Sequence, residues 1–115
     1  MRYLLNSAVI TAPGSYRYTL VTGEEARDWC GDKKNEPAPL STIGYEQTAE
    51  ALAEILGVPV AVDRRTITMQ PGDGALVFRL VLPPGTPRID PADKGRLSAA
   101  LLAGHFELGI LRRTG

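Results

Sequence analysis

The residues best suited to chemistry lie in one short segment, 40–48, where two hydroxyls and a glycine precede a helical pattern. Residues 45–56 are predicted to be a helix, because apolar side chains recur there at helical spacing. First-turn amides have no intrahelical acceptor and carry partial positive charge, so they can hold a phosphate. Gly44 would let that ligand approach the backbone closely. An ordinary capping turn is the alternative, with Thr42 or Gly44 as the cap and Gln47 reaching back.

Two further polar features could contact a ligand. Asn6 and Ser7 stand in an otherwise apolar first strand, where a buried amide must be hydrogen-bonded. Asn6 is either an amide that reads a base or ribose, or a strand-end residue satisfied by a neighbouring loop. Arg64 and Arg65 are either a phosphate clamp or a solvated surface pair bound to a nearby carboxylate.

The usual catalytic and cofactor signatures are missing from this sequence. It contains no Cys/His metal spacing, no phosphate-binding P-loop and no dinucleotide fingerprint, so we expect neither metal nor cofactor. His105, the single histidine, fits a surface or hydrogen-bonded role, with a general acid as the alternative. Cys30 is the single cysteine, which excludes an intramolecular disulfide and fits an inert, packed thiol in a reducing compartment.

Charge and length limit the classes of partner. The formal net charge is +0, which argues against gripping long nucleic acid by bulk electrostatics. The apolar run in residues 1–10 is too short for a signal peptide or a membrane span. We therefore expect a cytoplasmic protein with no membrane partner.

The elements that position these residues indicate an α/β (α+β) fold, a mixed sheet flanked by helices, in a single domain over residues 1–115. In the strand at 15–21, the alternation places Tyr16, Tyr18 and Leu20 on one half-buried face. One helix is capped by Thr22, and another begins at Asp90 and ends at Gly104. The predicted strands are 2–10, 15–21, 58–62, 66–69, 75–82 and 106–111.

The order of several short motifs resembles one family. The motifs are Tyr3-Leu4-Leu5-Asn6, Ser41-Thr42-Ile43-Gly44, Val62-Asp63-Arg64-Arg65 and Thr68-Met69-Gln70-Pro71-Gly72-Asp73. In this order they resemble the small viral and CRISPR-associated ring nucleases of the type III anti-CRISPR kind, which act on cyclic tetra-adenylate. The likeness covers nearly the whole chain and is most specific from Ser41 to Leu80. It implies a homodimer with one cyclic ligand lying across the two-fold axis.

The resemblance also implies roles for individual residues. Asn6 matches a ligand-facing amide, Gly44 and Thr48 match the phosphate side of the helix start, and Arg65 matches an arginine after the helix. Together with the residues singled out above, the candidate ligand-binding set is Asn6, Ser7, Thr42, Gly44, Tyr45, Thr48, Arg65 and Arg79.

The sequence departs from the family pattern at two places. Tyr45 stands where the family places the histidine that acts as general acid, which leaves Tyr45 as the candidate catalytic residue. A phenol, with an ordinary pKa near 10, is a poorer proton donor than an imidazole near 6.5. The family's longer lid corresponds here to the stretch 82–85, which carries neither an arginine nor an acid, and Arg79 lies nearby but out of register.

Three functions remain open at this stage. The first is a protein that binds and sequesters a cyclic oligonucleotide messenger of antiviral defence, with weak or absent cleavage. The alternative is an active, metal-independent ring nuclease that degrades cyclic tetra-adenylate to linear products with 2′,3′-cyclic phosphate. The third is an interaction domain that has kept the fold and lost the ligand.

Overall fold

A computed structural model describes residues 1–6, 12–31, 39–87, 89, 95–96, 99–100 and 103–115. Its five strands form one mixed sheet in the order β2-β5-β4-β1-β3. β1 pairs in parallel with β3 and with β4, whereas β5 is antiparallel to both β4 and β2. The strands are β1 (Arg2–Leu5), β2 (Tyr16–Val21), β3 (Leu40–Ser41), β4 (Gly74–Leu80) and β5 (Phe106–Arg113).

A capping arrangement marks one end of each of the two helices, the start of the first and the end of the second. In α1 (Gly23–Gly31), the Glu25 amide donates to Thr22 Oγ1 and the Thr22 amide donates to Glu25 Oε1, which is a reciprocal capping box. α2 (Glu46–Leu56) ends at Gly57, which adopts the left-handed conformation. The predictions of these two helices are confirmed.

The core lies on both faces of the sheet. Leu76 and Phe78 of β4 face α1 and α2, where they pack with Leu52 and other buried side chains. The alternate residue Val77 faces the opposite side, where Met69 packs on the sheet. The predicted mixed sheet with flanking helices is therefore confirmed, and β4 is central and buried as its continuous apolar run indicated.

The predicted strands at 58–62 and 66–69 were wrong, since the structure shows no strand in this segment. Pro59 lacks a backbone donor, and Val58 and Val62 are exposed. Ile67 and Met69 are instead covered by packing against the sheet face. In the segment 66–69, the apolar residues therefore report burial and not strand pairing.

The prediction of a half-buried β2 was also wrong, because Tyr18 is 37% exposed and Leu20 is 62% exposed. β2 is one of the two edge strands of the described sheet, so only one of its sides pairs with a neighbouring strand. The alternation was read correctly as a strand, but alternation does not reveal whether anything covers the apolar face.

Two predicted elements lie partly outside the described residues. Residues 7–10 of the first predicted strand, including Ser7, are not described. Within the predicted helix from Asp90, the described residues 95–96 and 99–100 are helical. The predicted stop is confirmed: Gly104 has φ +76° and the His105 amide donates to the Ala100 carbonyl. β5 extends two residues beyond its predicted end.

No helix among the described residues is long and apolar enough to cross a membrane.

Candidate functional site

The candidate site lies where the parallel strands end. Because β1, β3 and β4 run in the same direction, their carboxyl ends meet at one edge of the sheet. Asn6 follows β1 and is half-buried, and Thr42 follows β3. Open sheets with parallel strands bind ligands in the crevice outside these carboxyl ends.

Thr42 and its neighbours hold the chain between β3 and α2 in place. The amide and the hydroxyl of Thr42 both donate to the Leu4 carbonyl, at 3.0 and 2.8 Å. The buried Ser41 hydroxyl donates to the Ala61 carbonyl at 2.6 Å. The Asp63 amide donates to the Ile43 carbonyl at 2.9 Å. Thr42 therefore links the end of β3 to β1, and its hydroxyl proton is already donated to a backbone carbonyl.

The amino terminus of α2 has no side-chain cap in the described structure. Tyr45 is the N-cap residue, in extended backbone geometry, and makes no capping hydrogen bond. The first intrahelical bond runs from the Ala49 amide to the Tyr45 carbonyl at 3.0 Å. The amides of Glu46, Gln47 and Thr48 precede that bond and have no intrahelical acceptor. The ordinary capping turn led by Thr42 or Gly44 is thus not what forms here.

An arginine lies beside this helix end. The Arg64 guanidinium carbon stands 5.0 Å from the centre of the Tyr45 ring, a cation–π contact. A Cβ atom on Gly44 would meet Arg64 Nε at 2.9 Å, so the missing side chain of Gly44 makes room for the arginine. The structure brings together a cation, an aromatic ring and the first-turn amides of a helix without a side-chain cap.

Arg65, not Arg64, was the arginine singled out from the sequence. Arg65 instead forms an exposed ion pair with Asp63. The sequence identifies the Arg64-Arg65 pair, but the neighbouring residues do not indicate which of the two arginines lies beside the start of α2. The bond from Asp63 to Ile43 anchors this segment beside the start of α2, where Arg64 meets Gly44.

Arg79 lies on the opposite face of the sheet from α2. Alternation along β4 places it on the same side as Val77, where it forms an ion pair with Glu107. The hydrogen bond from Arg79 lowers the pKa of Glu107. Tyr18 also donates to Glu107, at 3.1 Å. Arg79 is therefore not brought together with Arg64, Gly44 and Tyr45.

The remaining candidates take separate positions. Thr48 is half-buried in the first turn of α2. Ser7 lies outside the described residues. His105 is at the same edge of the sheet, since its carbonyl accepts a bond from the Val81 amide after β4. Cys30 is buried, and desolvation raises the pKa of its thiol to about 11, as expected for an inert thiol.

The described part of the chain contains no group of three or more His, Cys, Asp or Glu side chains that could hold a metal ion.

Comparisons with known proteins assign the family. A family model described as STIV B116-like matches residues 2–83. The uncharacterized protein YddF of Bacillus subtilis (strain 168) is 33% identical over 76 residues, which are 66% of this chain and 68% of YddF.

A solved structure has the same fold. B116 of Sulfolobus turreted icosahedral virus matches with a TM-score of 0.71 and 14% identity, covering 97% of this chain and 98% of B116. At 14% identity, this similarity supports a shared fold and nothing further. The expected kinship with a family of viral proteins is confirmed at this coarser level: the chain belongs to the STIV B116-like family.

Proposed function

We propose that this protein binds a cyclic oligonucleotide messenger of prokaryotic antiviral defence between two copies of the chain, and sequesters it with weak or absent cleavage. The observation that carries the proposal is the uncapped start of α2, with Arg64 beside it. The resemblance of the motifs to ring nucleases supplies the ligand class.

The phosphate would be held by the backbone and by Arg64. The three first-turn amides of α2, which have no intrahelical acceptor, point along the helix axis, and the helix dipole favours negative charge there. A guanidinium adds a charge-assisted hydrogen bond to a phosphate oxygen. These donors are local, so a chain of formal net charge +0 can still bind an anion.

The base would be held by the aromatic ring and an amide. Tyr45 is half-buried and offers a ring on which a base can stack. Asn6, at the end of the neighbouring strand, carries an amide suited to the edge of a base. A ring-shaped ligand repeats phosphate and base, which two copies of one site can match by symmetry.

We expect weak cleavage because the side chain at the start of α2 is that of Tyr45. Ring opening by attack of a 2′-hydroxyl needs a proton donor for the leaving 5′-oxygen. Tyr45 is the side chain at the N-cap, and Arg79, the other candidate for charge stabilisation, faces the opposite side of the sheet. Binding is therefore expected to exceed turnover.

The test uses labelled cyclic oligoadenylates of several ring sizes, incubated with the purified protein in the presence of EDTA. Tight binding with recovery of the intact ring supports sequestration. Linear products that end in 2′,3′-cyclic phosphate favour the alternative, a working metal-independent ring nuclease. Absence of binding to every ring overturns both and leaves an interaction domain.

Arg64→Ala locates the site, with Arg65→Ala as its matched control. Loss of one charge-assisted bond to the phosphate is expected to weaken binding by about tenfold or more for Arg64→Ala. Arg65→Ala removes a charge one residue away that is paired with Asp63, so its effect should be much smaller. A larger loss for Arg65→Ala would move the site away from the Tyr45–Arg64 pair.

A further inference from the structure

Two arginines lie side by side on the face of the sheet that carries the helices. Arg17 of β2 is paired with Arg112 of β5. Directly opposed residues of an antiparallel pair share a face, with their Cβ atoms about 4.5–5.5 Å apart. Val21 and Ile110, which share this face by alternation, pack against the core cluster that includes α1 and α2. Because both arginines are exposed, this face presents two neighbouring guanidinium groups to a ligand.

No group in the described structure compensates the charge of this pair. Among the described arginines, only Arg17 and Arg112 make no hydrogen bond, ion pair or ring contact with other described residues. Arg65 and Arg79 pair with carboxylates, and Arg113 donates to backbone carbonyls. Like charges on directly opposed strand residues destabilise a sheet. A bound anion would remove this repulsion.

The row of residues that contains the pair continues across two more strands. Gly74 of β4 is paired with Arg112, and Arg2 of β1 is paired with Gly74. Trp29 of α1 lies over the glycine, with its Cζ2 atom 3.2 Å from where a Cβ atom would stand. The Arg2 guanidinium donates to the Trp29 carbonyl and stands 5.2 Å from the centre of the indole ring. Trp29 therefore lies between Arg2 and the exposed pair.

From this arrangement we infer that Arg17 and Arg112 form a binding site for a phosphate dianion, either pyrophosphate or the terminal phosphates of a nucleotide. One guanidinium fork satisfies the two oxygens of a carboxylate, whereas a phosphate has further oxygens and a second charge for a second fork. Two cations without a carboxylate partner among the described residues match the charge of a dianion. Arg2 adds positive potential from the same row.

This site is separate from the one proposed at the start of α2. Arg2 and Gly74 are the first residues of β1 and β4, whereas Asn6 follows the last residue of β1. A rise of about 3.3 Å per residue places Arg2 about 13 Å from Asn6 along the strand. The pair therefore lies at the amino end of the parallel strands, and the two proposals can fail separately.

The first experiment titrates inorganic pyrophosphate into the protein and follows calorimetry and the fluorescence of Trp29, the single tryptophan. Arg17→Gln and Arg112→Gln should each weaken binding by at least about tenfold, because each removes charge-assisted hydrogen bonds. Arg27→Gln is the matched control, since it removes an exposed guanidinium that donates to the Ile55 carbonyl, and it should leave the affinity unchanged. Equal affinities of all three variants would show an adventitious ion only and overturn the inference.

Further titrations separate this site from the start of α2 and identify the source of the phosphate. Arg64→Ala should bind pyrophosphate as the unaltered chain does, and Arg112→Gln should bind cyclic tetra-adenylate as the unaltered chain does. Loss of pyrophosphate binding in Arg64→Ala with retention in Arg112→Gln overturns the inference. Binding of ADP tighter than that of pyrophosphate supports a nucleotide as the ligand, and binding no tighter supports the free anion.

Melting temperatures distinguish a binding role from a structural one. Without added anion and at low ionic strength, Arg112→Gln should melt at a higher temperature than the unaltered chain, because the like-charge repulsion is gone. Saturating pyrophosphate should raise the melting temperature of the unaltered chain and not that of Arg112→Gln, since a ligand stabilises only a state that binds it. A lower melting temperature of Arg112→Gln without anion, together with an undiminished pyrophosphate shift, contradicts the inference.

Discussion

At the scale of single residues, the candidate site depends on a contact between Gly44 and Arg64. The absence of a side chain at Gly44 leaves the space in which Arg64 crosses the Tyr45 ring. Gly44 does not adopt a positive φ, so its role here is space and not backbone freedom. This distinguishes it from Gly57, whose left-handed conformation ends α2.

Gly44→Ala tests this contact. The new methyl group would meet Arg64 Nε at 2.9 Å and displace a flexible side chain, while the backbone is compatible with alanine. We expect the free energy of unfolding to change by less than about 1 kcal/mol and the affinity for the cyclic ligand to fall. Chemical denaturation and a binding titration on the same preparation measure both. An unchanged affinity would show that Arg64 does not need this position to bind the ligand.

At the scale of elements, the two helices begin in opposite ways. α1 satisfies its first amides with the reciprocal bonds between Thr22 and Glu25. α2 begins at Tyr45 without a side-chain cap. An uncapped helix start at the carboxyl edge of parallel strands costs stability and leaves donors available to an anion.

Thr22→Ala should destabilise the protein by about 1 kcal/mol, because it removes the acceptor of the Glu25 amide at a helix end. Urea denaturation followed by circular dichroism gives the free energy of unfolding. Thr66→Ala, at an exposed threonine in the irregular segment, is the matched control and should be nearly neutral. If the two variants lose the same stability, the capping box contributes nothing.

At the scale of the whole molecule, one polar cluster ties three strands together. Tyr18 of β2, Arg79 of β4 and Glu107 of β5 meet on the sheet face opposite the helices. The bond from Arg79 is the main cause of the lowered pKa of Glu107. Burial is the main cause of the raised pKa of Tyr18, with its bond to Glu107 second.

The pH dependence of stability follows from the ionised form of Glu107. Its folded pKa lies below its unfolded value, so its contribution is present above the unfolded pKa near 4.5 and is lost as pH falls through the folded pKa. Because Arg79 is half-exposed, the contribution should not exceed about 1 kcal/mol.

Glu107→Gln should lower the melting temperature at pH 7. On acidification to pH 3, the melting temperature of this variant should fall by less than that of the unaltered chain. Thermal melts of both proteins from pH 7 to pH 3 measure this difference. Glu50→Gln, an exposed residue of α2, is the control. Parallel melting curves for Glu107→Gln and the unaltered chain across this range would contradict the assignment.

Several features were predictable from short stretches of the chain. The spacing of Ala49, Leu52 and Leu56 with Gly57 behind them predicted α2, and Thr22 before two acids predicted the start of α1. The continuous apolar run within 75–82 predicted the central strand. The ligand and the ligand-sharing dimer stay predictions that rest on the motif resemblance.

Other features depended on partners distant in the chain. Arg64 and Arg65 are equivalent as neighbours in sequence, and the Asp63–Ile43 bond joins residues twenty positions apart to place them. Tyr18 and Leu20 look like core residues until the strand order leaves β2 at the edge. Local sequence patterns encode helix ends and strand periodicity, because capping hydrogen bonds and backbone preferences act within a few residues. Burial and orientation come from contacts between remote segments, which exist only once the chain has folded.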